Sequence, residues 1–388
     1  MRRPQAHLTA LGGLIALAAA LGIGRFVYTP ILPSMMQALG LSQTAAGMIA
    51  SANFLGYLLG ALLAASPKLP GSRRAWLLGS LVLSAGSTSA MGGVSTTAPF
   101  LLLRFVGGGA SAVVLVLASA LVLGSLAEAQ RPGLSALHFA GVGIGVVVSA
   151  ILVAVLQCAG QPWQSLWVAN GIVALLAAFA AAPLMRQGQA PVQLARQSPA
   201  QPIDSGLLRL IIAYGLFGFG YVITATFIVT MVRGTPEIRA LEPVIWIVFG
   251  LSAAPSVAIW TSVAARLGVP AAFALASVVE ACGVVASVAW PSEIGLFLAA
   301  MLVGGTFMGL TALGLIRARS LASGNPRRTL ALMTAAFGLG QIIGPGFAGA
   351  VSDRFGGFAA PSLVAVAALL IAAALVSERR ILVLRAEQ

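Results

Sequence analysis

Leu8–Met36 reads LTALGGLIALAAALGIGRFVYTPILPSMM, and Arg25 is its sole charged side chain. Roughly 20 apolar residues cross the hydrocarbon of a bilayer at about 1.5 Å per residue. The run exceeds that length. It follows Met1-Arg2-Arg3 as a signal peptide would, but it is too long for a signal's apolar region and reads as a first spanning helix. Eleven similar runs follow, at 44–65, 75–93, 98–126, 132–157, 163–185, 207–231, 243–265, 270–290, 293–316, 327–351 and 358–376. A barrel strand is about 10 residues of alternating polarity; these runs are uniformly apolar. The chain is 59% hydrophobic and 8% charged, against about 25% charged for a soluble domain. The expectation is an all-α integral membrane protein of about twelve transmembrane helices.

The basic residues set the orientation. With the N-terminus in the cytoplasm, the inside segments hold Arg2, Arg3, Lys68, Arg73, Arg74, Arg131, Arg186, Arg196, Arg209, Arg266, Arg317, Arg319, Arg327, Arg328, Arg379, Arg380 and Arg385. The outside segments hold Arg233, Arg239 and Arg354. Positive charge accumulates in cytoplasmic loops, so both termini are expected inside a bacterial inner membrane. The same clustering between apolar runs explains the net charge of +13 without a nucleic-acid partner.

The longest polar stretch, Arg186–Ser205, carries Pro191, Pro199 and Pro202. It divides the chain into an N-terminal half (1–185), a cytoplasmic linker (186–206) and a C-terminal half (207–388). A weak repeat relates the halves. Gly22-Ile23-Gly24 matches Gly218-Phe219-Gly220, and Val106-Gly107-Gly108 matches Val303-Gly304-Gly305. Gly143-Ile144-Gly145 matches Gly338-Leu339-Gly340. Six helices per half give both copies one membrane orientation, a parallel repeat.

Twelve spans in two six-helix halves around a central linker resemble the major facilitator superfamily. Gly22–Pro30, followed by Leu32-Pro33, resembles the opening helix of its YbfB/YjiJ-type bacterial branch, and Gly141–Gly145 fits it too. Arg104 with Gly107-Gly108-Gly109-Ala110 resembles, in part, the superfamily's Arg-x-x-x-Gly-x-x-Ala pattern, whose Arg is associated with proton transfer in proton-coupled members. The acidic loop motif between helices 2 and 3 has decayed. Ser66–Arg74 holds no Asp, and neither does Ala265-Arg266-Leu267-Gly268. Asp353-Arg354-Phe355-Gly356 keeps the letters at the outer end of helix 11, where a helix cap is expected. The resemblance implies a secondary transporter working by alternating access.

Ionisable groups at membrane depth are costly and invite a functional reading. Arg25 lies near the middle of helix 1, beside Gly22 and Gly24 and ahead of Pro30 and Pro33. It reads as a bidentate contact for a carboxylate or phosphate, or as a structural pair. Arg104 reads as a substrate or coupling contact, or as part of a structural network. Glu280, acidic at mid-depth in helix 9, is a proton-coupling candidate, as is His138, with an interhelical hydrogen bond as the plainer reading of each. Tyr28, Asn53, Tyr57, Tyr214, Tyr221 and Gln341 are candidate substrate-binding groups. Tyr221 occupies the repeat position of Arg25. Trp163, Trp167, Trp246, Trp260 and Trp290 read as interfacial belt anchors.

No phosphate loop, metal-ligand cluster or nucleophile–base set stands in the sequence, so no cofactor, metal or enzymatic activity is expected. The expected partners are a small-molecule substrate, the lipid bilayer and protons, in a monomer. Among ionisable groups at depth, two Arg against one Glu tilt the substrate toward an organic anion. The second reading is a proton-antiport exporter of lipophilic compounds, and a non-transporting sensor is a remote third.

Overall fold

The computed structural model describes residues 3–66, 69–185, 203–322 and 326–386; most of the expected linker therefore lies outside the described residues. The described residues pass twelve times through one helical bundle. The passes are α1 (Ala6–Leu39), α2 (Gln43–Ala65), α3 (Arg73–Ala90), α4 (Thr97–Glu128), α5 (Ser135–Cys158) and α6 (Trp163–Ala181). They continue with α7 (Ser205–Arg233), α8 (Glu242–Leu267), α9 (Val269–Ala289), α10 (Glu293–Leu321), α11 (Pro326–Phe355) and α12 (Ala359–Ala386). Ten are long and apolar enough to cross a membrane, and α8 makes an eleventh when its two bent pieces are taken together. The remaining pass, α3, is diluted by Ser80, Ser84, Ser87, Thr88 and Ser89. Ser87 and Thr88 donate to the Ser84 carbonyl within the helix, which lets hydroxyls sit at membrane depth. The outer faces are apolar, as a lipid-facing surface requires: Leu59 and Leu62 of α2, Phe179 of α6 and Ile371 of α12 are all exposed.

Even numbering places both ends of the chain at one end of the bundle, here called the termini end. Arg74 at the start of α3 donates there to the Met185 and Ala182 carbonyls beyond α6. Helices α1–α6 are here called one set and α7–α12 the other; α2 packs against both α4 and α11, and α5–α8 and α1–α7 also join the two. Glycines set the closest approaches. A Cβ on Gly108 would collide with the Asn53 backbone on α2, and one on Gly145 with the Ala18 backbone on α1. The second set repeats both seams: Gly304 faces Phe249 of α8, and Gly340 faces Gly215 of α7. Small residues admit this backbone contact where lipid supplies no hydrophobic drive. The sequence pairs Gly56/Gly60 and Gly141/Gly145 thus pack within one set.

Two helices depart from a single straight span. The first piece of α8, with the short turn Pro236–Leu241 ahead of it, meets the Ser256–Leu267 piece at 43°. The break falls at Pro255, which has no N–H to donate, and beside it Ala254 lies against Gly143 of α5. In α1, regular helix ends at Leu17, a wide turn of π type runs Ala18–Ile23, residues 24–27 form turns, and helix resumes at Tyr28. Thr29 N donates to the Phe26 carbonyl at 3.3 Å instead of reaching back to Arg25. The break therefore begins well before Pro30 and Pro33, where the prolines alone would not put it. The carbonyls it releases are taken by α4. Arg104 Nη2 donates to the Arg25 carbonyl at 2.9 Å and Nη1 to that of Gly24 at 3.2 Å. Asn53 Nδ2 of α2 in turn donates to the Arg104 carbonyl at 2.9 Å.

At the end opposite the termini the two sets are latched. The Asp353 carboxylate, on α11, accepts from Gln43 N (3.0 Å), Thr44 N (2.8 Å) and Thr44 Oγ1 (2.6 Å) at the first turn of α2. A carboxylate at a helix N-terminus is favourable both as a cap and against the helix dipole. Here the cap comes from the opposite set, over more than 300 residues of sequence. Thr29 Oγ1 donates to the Ala225 carbonyl (2.8 Å), Gly346 N to Ser51 Oγ (3.2 Å) and Arg233 Nη2 to Ser34 Oγ (3.2 Å). Arg233 is also ion-paired with Glu242.

Two outcomes follow. Arg104→Met strips charge-assisted bonds from two buried carbonyls at about 1.5–3 kcal/mol each, so the apparent melting temperature in detergent should fall by several degrees, with Arg104→Lys only partly restoring it. An unchanged melting curve would mean that α1 holds its break unaided. Asp353→Ala loses a cap worth about 0.5–2 kcal/mol. In a variant with Cys158 and Cys282 replaced by Ser, it should raise alkylation of Ser51→Cys by about 2- to 30-fold, the Boltzmann factor of that loss.

Candidate functional site

A cavity of about 250 Å³ lies between the two sets. It runs from Arg25 and Tyr57 to Leu123, Arg319 and Thr334, which lie nearer the termini end of their helices. The latched end lies beyond its floor. At that floor Phe26 of α1 meets Phe307 of α10 edge-on, with ring centroids 5.8 Å apart.

Arg25 is the charged group in the depth of this cavity and is 4% exposed. The irregular stretch positions it: the wide turn of Ala18–Ile23 precedes it, Arg25 N and Val27 N still bond back to the Leu21 and Ile23 carbonyls, and Arg104 fixes the backbone there. Its guanidinium lies over three rings, at 4.2 Å from Tyr57, 4.6 Å from Phe54 and 5.3 Å from Phe26. Cation–π contact of this kind offsets part of the desolvation. Nε and Nη2 are buried and make no hydrogen bond to the protein. These two nitrogens form one edge of the guanidinium, the geometry that receives both oxygens of a carboxylate.

The opposite wall is aromatic. Tyr221 of α7 stacks parallel to Phe307 (5.6 Å, 13°) and to Phe337 of α11 (6.0 Å, 5°), and Tyr214 stacks on Phe337 at 5.0 Å. Gln341 Nε2 donates to the Tyr221 hydroxyl, and Tyr214 donates to the Thr311 carbonyl at 3.2 Å. Tyr221 and Arg25, equivalent in the repeat, thus face the same cavity from opposite sets. Asp, Glu, Asn, Gln and His are absent from its lining among the described residues.

Of the residues singled out in the sequence, Arg25, Tyr57, Tyr214 and Tyr221 line the cavity. The others surround it. Tyr28 donates to the Ala46 carbonyl at 2.8 Å, with Arg104 over its ring at 4.9 Å. Asn53 and Arg104 belong to the clamp on α1, and Gln341 orients Tyr221. His138 Nε2 bonds to Ser119 at 3.0 Å, and Ser119 lines the cavity. Glu280 is fully buried between α9 and α10. Its Oε1 accepts from Thr306 at 3.2 Å and its Oε2 has no partner.

The belt-anchor reading of the tryptophans is corrected. Trp167 and Trp246 are fully buried, and Trp163 and Trp260 nearly so. Trp260 donates to the Gly305 carbonyl at 2.8 Å and Trp167 to Met35 Sδ at 3.2 Å. Trp290 is half exposed and suits the interface. Sequence position gave depth along the helix but not which way each ring faces. Phe26, Phe307 and Phe337 were missed for the same reason: in an apolar helix, a phenylalanine toward the cavity and one toward lipid look alike. Tyr221 supplied the available signal, since its same-face neighbours belong to the same wall.

Comparison with solved structures places this fold among transporters. The nucleoside transporter NupG aligns at TM-score 0.73 and 15% identity, covering 95% of this chain and 98% of that one. A bacterial homolog of the human lysosomal transporter Spinster, inward-facing and unoccupied, aligns at TM-score 0.66 and 16% identity, covering 97% and 95%. A search of curated proteins found none that matches. Residues 17–377 match the family described as "Uncharacterised MFS-type transporter YbfB". With its all-helical membrane bundle and that match over nearly its whole length, the chain belongs to the YbfB-type family of major facilitator superfamily transporters.

Proposed function

We propose that this protein moves a small organic anion, or another carboxylate-bearing solute, across the bacterial inner membrane by alternating access coupled to protons. The carrying observation is Arg25: a buried guanidinium at mid-depth, facing a cavity, with the carboxylate-receiving edge lacking any protein partner. Burying a charge with two of its donor nitrogens unpartnered is expensive, and a bound carboxylate would supply the missing pair. The arginine excess at the termini end supports placing that end in the cytoplasm. The cavity then opens inward, with the latch of Asp353, Thr29 and Ser51 closing the outside. Rocking α1–α6 against α7–α12 would exchange the two.

Glu280 is the carboxylate proposed to carry the proton. It is fully buried and has an unpartnered oxygen, the setting in which a carboxyl group binds and releases a proton with conformation. NupG transports nucleosides by its title, but the likeness is one of fold, and the lining here lacks the amides and carboxylates suited to a ribose. The apolar walls favour a second reading, a proton-antiport exporter of lipophilic compounds.

Arg25→Gln separates the two readings. With carboxylates as ligands, thermal stabilisation in detergent should weaken by about 10- to 100-fold in concentration, the worth of a charge-assisted bidentate contact. If lipophilic cations stabilise both proteins equally and carboxylates neither, the exporter reading stands instead. Glu280→Gln should abolish accumulation driven by a pH gradient in proteoliposomes while retaining substrate exchange at equal pH on both sides. Loss of both activities would leave Glu280 a packing residue.

A further inference from the structure

From the arrangement of the cavity's two walls we infer that the solute is a flat aromatic monocarboxylate of about one ring. The inference rests on the proposed anion-binding role of Arg25 and adds what lies on its other side. The first wall carries one cation whose unpartnered edge suits two oxygens. The second is built from aromatic planes, with Phe307, Tyr221 and Phe337 nearly parallel and Tyr214 stacked on the last. Such rings favour an aromatic partner, stacked or edge-on, over an aliphatic body of equal area. Between these walls the lining is aliphatic or weakly polar, Leu115, Val116 and Met308 among it.

Three properties of the solute follow. Its charge is negative, since among the described residues no carboxylate lines the cavity to receive a cation. It carries few hydroxyls, because the lining offers only scattered hydroxyl partners such as Ser119, Thr311 and Thr334, and a hydroxyl buried away from them costs about 1–3 kcal/mol by protein mutational measures. It is small, because about 250 Å³ falls just below the range of roughly 300–1,000 Å³ typical of drug-sized ligands. The fixed orientation of the Tyr221 hydroxyl by Gln341 adds one polar point on the ring-binding wall, so a ring bearing a single hydroxyl is accommodated. Arg319, exposed at the mouth, draws anions toward the depth.

The test is a ligand series on purified full-length protein, read as thermal stabilisation and checked by uptake into proteoliposomes. The probes are benzoate, 4-hydroxybenzoate, cyclohexanecarboxylate, acetate, benzylamine and uridine. Benzoate or its hydroxyl derivative should bind about tenfold more tightly than cyclohexanecarboxylate, the scale of an aromatic pair beyond area burial. Benzylamine and uridine should have no effect. Phe337→Leu, which keeps an apolar side chain, should narrow the tenfold preference to about twofold. The wild-type series decides the matter even if that variant fails to fold. Equal binding of benzoate and cyclohexanecarboxylate, abolished by Arg25→Gln, would overturn the aromatic inference and leave the anion reading intact. Binding of uridine or benzylamine that is indifferent to Arg25→Gln would overturn both.

Discussion

The site depends on one interaction across helices: the Arg104 guanidinium on the carbonyls of Gly24 and Arg25. A membrane helix cannot expose free carbonyls to lipid, and irregular backbone survives at depth only where protein satisfies it. Helix α1 breaks at its centre, and α4 supplies the donors. The consequence is positional. With the break, Arg25 is held among Phe26, Phe54 and Tyr57 at the cavity. Two arginines thereby divide two tasks. Arg104 spends its donors on the backbone, while Arg25 has an edge left over.

The fold was legible because the sequence contains little else. With so few charges, each cluster of arginines marks a loop, and the twelve runs match the twelve passes even for serine-rich α3. The glycine repeats were legible too, since Gly145 and Gly340 face the backbones of equivalent helices. The break in α1 was legible in part. Pro30 and Pro33 announced irregularity, but the wide turn lies upstream in Ala18–Ile23, a stretch free of proline. Its location depends on Gly22 meeting the backbone of Gly145 and on Arg104, which are tertiary facts. Asp353 was placed correctly at a helix end, but the helix it caps begins at Gln43, beyond the reach of local pattern. The aromatic wall was hidden because hydropathy reports burial in lipid and burial in protein with one value.

The two kinds of contact in the bundle differ in how they resist motion. Within each set the helices meet backbone to backbone at Gly108 on Asn53, Gly145 on Ala18 and Gly340 on Gly215, and the sets meet in the same way at Gly47 on Pro345, Gly349 on Gln43 and Gly143 on Ala254. Shifting such a seam means overlap along its length, so the sets resist internal rearrangement. Between the sets, the polar contacts of the latched end are a carboxylate on backbone amides, single hydroxyl bonds and one arginine–serine bond. The exposed bonds of Asp353 have water as a ready substitute, while the Thr29 bond is buried, and each is worth about 0.5–3 kcal/mol net. Opening between the sets therefore means parting the glycine seams of α2–α11 and α5–α8 together with these polar contacts. In the proposed cycle, a solute held by Arg25 on one set and by the Tyr221 wall on the other tips the balance: it binds both at once only where they approach, and so favours the closed arrangement by its difference in affinity between the two states.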